Sequence, residues 1–216
     1  MLKKIQVMCL LCLSMFMVSS TAYGESTTSD VSLTGGTLSM QTNSIVFPAE
    51  VIDPSVQKSV SSTVYNIISD PSGTGEGWKL SLLAGDFVSN DIPDKSNSVA
   101  GSTLNISFPS SYLQIVTGNI YRDGIKGQLE DPTFGPLHLV QSVNLGNGPV
   151  LIASVAPGFG MGQYIHEMAM NLDIPSTGKV AKLSDESTSK LKVGDDIGLA
   201  AGSYRATFTY TLSSGI

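Results

Sequence analysis

"YRATFTYTL", residues 204–212, alternates without a break. Tyr204, Ala206, Phe208, Tyr210 and Leu212 point one way, and Arg205, Thr207, Thr209 and Thr211 the other. That period of two belongs to a strand with one face in a core and one toward water. The pattern recurs upstream. "TLNISF" places Leu104, Ile106 and Phe108 on one face, and "HEMAMNLDI" does so with His166, Met168, Met170, Leu172 and Ile174. "WKLSL" sets Trp78, Leu80 and Leu82 against Lys79 and Ser81.

Glycine-centred turn signals punctuate these runs: "GTGEG", "LAGD", "TGN", "RDG", "LGNGP", "APGFGMG" and "AAGS". The best helical candidate, "SDESTSKLKVG", is rich in Ser and Thr and makes a weak helix at best. It lies in a charged stretch from Lys179 to Asp196 that reads as an exposed excursion between two strands. The pattern predicts a single all-β domain over 35–216, an antiparallel β-sandwich.

The first 24 residues read as a secretory signal peptide. Lys3 and Lys4 precede an uncharged apolar run, and Ala22 and Gly24 supply small residues before a cut. Residues 25–34 read as a flexible polar linker. Both cysteines, Cys9 and Cys12, fall inside the signal, so the mature chain is expected to have no disulfide, thiol chemistry or Cys-based metal site. Losing Lys3 and Lys4 leaves ten basic against 18 acidic residues, a net of −8. Such a surface repels nucleic acid and anionic lipid. No membrane insertion is expected after cleavage. The C-terminal "YTLSSGI" carries no sorting motif and no apolar anchor, so the expectation is release or non-covalent retention.

Chemistry is sparse. His138 and His166 are far apart, and His166 opens an apolar face, as a structural histidine would. No G-x-S-x-G or H-E-x-x-H is present. Asp91 with Asp94, and Asp195 with Asp196, lack the alternating ligands and central glycine of a calcium loop. The glycines at 158, 160 and 162 have the wrong spacing for a dinucleotide fingerprint. No enzyme, metal or cofactor is expected.

Four stretches in order, "GGTL", "GTGEGWKLSL", "GFGMGQY" and "YRATFTYTLSSG", together resemble the WxL cell-surface domain over residues 35–216. The first motif maps onto Trp78, Lys79 and Leu80. The second stands as Tyr210, Thr211 and Leu212, with Tyr where that family has Trp. The resemblance implies an exported protein of a Gram-positive bacterium, held non-covalently on peptidoglycan, with other WxL-type or WxL-interacting surface proteins as partners. A second reading is a structural subunit of a secreted matrix or fibre that assembles by strand exchange through its N-terminal arm.

By parity, Trp78 and Tyr210 are expected in the core, packed near each other on neighbouring strands. Ligand contact would then fall to Lys79, Ser81, Arg205, Thr207, Thr209 and Thr211. The alternative puts Trp78 at the open end of its strand, stacked on a sugar.

Overall fold

The computed structural model describes residues 31–53, 56–127, 137–139, 142–146 and 148–215, with backbone alone at 124–127 and 137–139. The signal segment and most of the linker lie outside these residues. The described residues from Thr34 onward form one compact unit.

The described strands are β1 (Ser39–Thr42), β2 (Lys58–Asp70), β3 (Trp78–Ala84), β4 (Phe87–Ser89), β5 (Ile92–Pro93), β6 (Thr103–Phe108), β7 (Leu113–Gly127) and β8 (Leu137–Leu139). They continue with β9 (Val143–Asn144), β10 (Val150–Val155), β11 (Gly162–Ile174), β12 (Thr177–Leu183), β13 (Asp196–Gly198), β14 (Tyr204–Arg205) and β15 (Phe208–Ser214). Among the described residues the only helical piece is a 3-10 turn at Ser110–Tyr112. No described helix is long and apolar enough to cross a membrane.

Among the described residues all pairings are antiparallel, and they build three sheets. The first runs β1-β2-β11-β7-β9, the second β15-β3-β10-β8, and the third β13-β12-β6-β4-β14 with β5 beside β6. The chain is therefore an all-β, sandwich-like assembly of antiparallel sheets, as the alternation predicts.

The inward faces follow the parity of the sequence. Leu104, Ile106 and Phe108 are buried on β6, and His166, Met168, Met170 and Leu172 on β11. The apolar ones join Val64, Ile68, Trp78, Leu80, Leu82 and Tyr164 in one large core, apart from Leu104 and Ile106, which pack with Val180 and Leu183 in a second. Removing this apolar surface from water, at about 25 cal/mol per Å², holds the sheets together where no disulfide does.

Two expectations need correction. "YRATFTYTL" is not one strand. Its first two residues pair with β4 in the third sheet, and Phe208 onward pairs with β3 in the second. Gly85 N–H donates to Thr207 O at 2.9 Å where the chain passes from one sheet to the other. The alternation survives the corner because strands can switch sheets by bending without losing their inward and outward sides.

Nor are "TGN" and "RDG" turns. Both lie within β7. Gly118 and Asn119 form a bulge opposite β11, where the register changes from Met168↔Thr117 to His166↔Ile120. The long ladder on β11 outweighs the local preference of Gly and Asn for a turn, and the extra residue is absorbed as a kink. The stretch from Ser184 to Gly194 contains no helix. Asp185 instead accepts from Ser187 N–H (2.9 Å), Ser187 Oγ (2.7 Å) and Thr188 Oγ1 (2.9 Å).

Candidate functional site

The glycines of "GTGEGWKLSL" shape a corner rather than a ligand mouth. Trp78 opens β3 and is 0% exposed. Its indole N–H donates to Gly160 O at 3.3 Å, and its ring meets Tyr164 at 6.5 Å between centroids. Gly160 (φ +81°) lies so close that a Cβ there would sit 2.8 Å from Trp78 Nε1. Gly77 (φ +74°) faces the Val155 carbonyl, which any side chain would strike. Gly158 N–H closes onto Gly75 O at 2.7 Å, and Gly215 N–H onto Gly77 O at 3.0 Å. The two glycine loops thus lie against each other over the tryptophan.

The second motif is also turned inward, but the two rings do not pack together. On the β15–β3 ladder Leu212 faces Leu80, Tyr210 faces Leu82, and Ser214 faces Trp78. Four residues of strand, roughly 13 Å, separate Trp78 from the position opposite Tyr210. Tyr210 is half-buried and its hydroxyl is shielded from solvent. Burial pushes its pKa up to about 12, against a weaker opposing effect of Thr42, whose approach falls short of hydrogen-bond geometry. An unmade hydrogen bond of this kind costs about 1–3 kcal/mol. Tyr210→Phe is therefore expected to raise stability by about 1 kcal/mol, measured by urea denaturation.

The outward faces of β3 and β15 differ in chemistry. Lys79 and Ser81 are half-exposed, and Thr209, Thr211 and Ser213 are exposed. Register places Lys79 beside Ser213, and Ser81 beside Thr211. The result is a band of hydroxyls around one ammonium. Arg205 and Thr207 do not belong to it, because Arg205 pairs with Val88 in the third sheet and Thr207 lies at the corner.

A second surface, on the outer face of the first sheet, escapes a reading by sequence. Tyr65 on β2 lies opposite Glu167 on β11, and Tyr121 on β7 lies opposite Ile165. The tyrosines are 41% and 43% exposed. Tyr65 Oη donates to Glu167 Oε1 at 3.5 Å, and the carboxylate's charge raises the Tyr65 pKa. Tyr121 reaches this face through the bulge, which turns Ile120 into the core and the next residue outward.

Several other titratable groups lie in the core or against near neighbours. His166 lies buried across from Asn66, whose amide nitrogen is 3.3 Å from Nδ1. Taking Asn66 as the donor leaves the ring proton on Nε2. Nε2 and Asn66 Oδ1 have no partner among the described residues, and burial lowers the His166 pKa to about 4. His138 lies on β8, where only backbone is described. S-x-x-K spacing occurs at Ser55–Lys58, Ser176–Lys179, Ser187–Lys190 and Ser189–Lys192. Lys179 Nζ, however, meets Asp196 at 2.9 Å, and Ser187 is held by Asp185. Lys58 pairs with Glu50, and Ser189 Oγ donates to Asp94 at 2.7 Å.

Asp70 and Asp94 bind their own turns through Ser72 and Ser96, as Asp185 does through Ser187. The Ser96 hydroxyl, above all, holds the Asp94 pKa below the usual range. Among the described residues no group of three or more His, Cys, Asp or Glu could hold a metal. A cleft of about 870 Å³ between Phe47, Phe87, Phe108, Leu172 and Tyr204 is lined by one carboxylate, Glu50. Glu50 pairs with Lys58 at 3.4 Å.

No family model matches this chain, and neither a curated protein nor a solved structure is significantly similar to it.

Proposed function

We propose that this is an exported cell-surface protein that attaches non-covalently to the peptidoglycan of a Gram-positive wall and works there within a surface protein complex. The observation that supports it is the outward band on the two motif strands, Lys79, Ser81, Thr209, Thr211 and Ser213. Peptidoglycan offers stem peptides with amides and carboxylates. An acidic protein gains nothing from bulk attraction to such a polymer, so attachment must come from local contacts. One ammonium among hydroxyls provides them: the cation pairs with a carboxylate, and the hydroxyls bond to amides. The order of the four WxL-like stretches supports the same reading, with the motif residues as framework and their strand neighbours as contacts.

The test is co-sedimentation of the purified protein with wall material stripped of teichoic acid. Wild type is expected to pellet and to come off in denaturant. Lys79→Ala combined with Thr211→Ala is expected to pellet roughly tenfold less, the equivalent of 1.4 kcal/mol, with an unchanged melting temperature. A folded wild type that stays in the supernatant overturns the proposal.

A further inference from the structure

We infer that the outer face of the first sheet is a stacking surface for a neutral pyranose chain, gripped by Tyr65 and Tyr121 on either side of Glu167. The inference rests on the wall-attachment reading and extends it to a second, chemically different contact.

Three features of this face converge. The first is the pair of rings. Tyr65 and Tyr121 lie on strands that flank β11, about 10 Å apart across the sheet. Each exposes about two-fifths of its surface, where an unused tyrosine on a sheet could lie flat against its neighbours. Between them Ile67 and Ile165, opposite each other, make a half-buried aliphatic floor. An aliphatic strip with aromatic sides suits the C–H face of a pyranose ring, which is apolar while its edge is polar.

The second feature is Glu167. Its carboxylate stands on the outer face beside Tyr65, on the strand between those that carry the two rings, close enough to shift that phenol. An ionised carboxylate accepts hydrogen bonds only. It fits the hydroxyl and acetamido N–H donors along a glycan's edge, and it repels a polyanion. That selects a neutral, N-acetylated chain over a teichoic-acid type of polymer.

The third feature is the bulge. A regular β7 would continue the register of Thr117↔Met168 and bring Ile120 outward, opposite Ile165, with Tyr121 in the core. The extra residue at Gly118–Asn119 reverses this. Gly118 lies so close to β11 that a Cβ would stand 2.9 Å from Glu167 O, so the bulge is built at the same point as the carboxylate. Bulges commonly re-aim a side chain beside a site. This one puts a large ring on the surface at the cost of a broken ladder.

The experiment uses a soluble β-1,4-linked N-acetylglucosamine hexamer and stripped peptidoglycan as probes. The proteins are wild type, Tyr65→Ala with Tyr121→Ala, Tyr65→Phe with Tyr121→Phe, and Glu167→Gln. All changed side chains are solvent-facing, so circular dichroism and melting are expected to match wild type. The hexamer is expected to bind wild type and the double phenylalanine variant alike, and the double alanine variant at least roughly tenfold more weakly. Glu167→Gln is expected to bind the hexamer more weakly than wild type.

Equal binding of the hexamer by the double alanine variant and wild type overturns the inference. Wild type that pellets with walls but ignores the hexamer also overturns it, and leaves wall attachment to the Lys79 face. Wild type that binds neither probe overturns both.

Discussion

Trp78→Ala is expected to destabilise the fold by about 4 kcal/mol, within the 3–5 kcal/mol typical of large aromatic truncations in a core. For a domain of this size that lowers the melting temperature by roughly 10 °C. The indole is fully buried, packs on Tyr164 and gives its only donor to Gly160. Its loss leaves a void between two glycine loops whose backbones already touch, and the glycines nearest it, Gly77 and Gly160, have no side chains with which to fill it. Trp78→Phe keeps the ring contact, loses the hydrogen bond, and should cost about half as much. Thermal denaturation followed by circular dichroism measures both. A Trp78→Ala protein that melts like wild type yet fails to pellet with cell walls would make the tryptophan a contact residue and sink this account of the corner.

Acid is expected to weaken the protein through His166 before most carboxylates titrate. The ring is neutral in the folded state, its pKa lowered by burial from 6.5 to about 4. Its contribution to stability is therefore complete above pH 6.5. It falls as pH drops from 6.5 to 4, because the unfolded chain takes up a proton that the folded chain refuses. At 1.36 kcal/mol per pKa unit the loss reaches about 3 kcal/mol by pH 4. His166→Gln keeps a group able to bond Asn66 and removes the titration. Urea midpoints from pH 7.5 to 4 should fall for wild type and stay nearly flat for the variant over that window. Parallel slopes would show that other groups govern acid sensitivity. Asp94, whose pKa is lowered by its serine hydroxyls, acts in a separate window below pH 4.

The inward faces were legible in the sequence because burial and parity are tied by the geometry of a strand. Trp78, Leu80, Ile106 and Met168 could be placed from spacing alone, and all are buried. What spacing hides is a change of parity. Tyr121 follows an apolar isoleucine inside "TGNIYRDG", and only the ladder with β11 reveals that the Gly–Asn step is a bulge inside a strand. The corner near Ala206 is hidden for the opposite reason. Alternation continues through it unchanged, while the partner strand changes from β4 to β3.

Asn66 was equally invisible, since a lone Asn in "STVYNIISD" gives no sign of the buried His166 across the ladder. The candidate contact face fared better. Lys79 and Thr211 were predictable as outward neighbours of inward motif residues, but nothing in the pattern removed Arg205 from the same surface.

The corner around Trp78 has a consequence for how the chain reaches its folded state. The corner is closed by Gly77 before the indole, Val155 and Gly160 about 80 residues later, and backbone pairing with Ser214 and Gly215 at the far end of the domain. Closing it requires nearly the whole chain to be present, and contacts so distant in sequence form slowly. The single tryptophan is thus a built-in clock for the last step. Its fluorescence should shift to shorter wavelength late in refolding, and a chain ending at residue 207 should never show the shift.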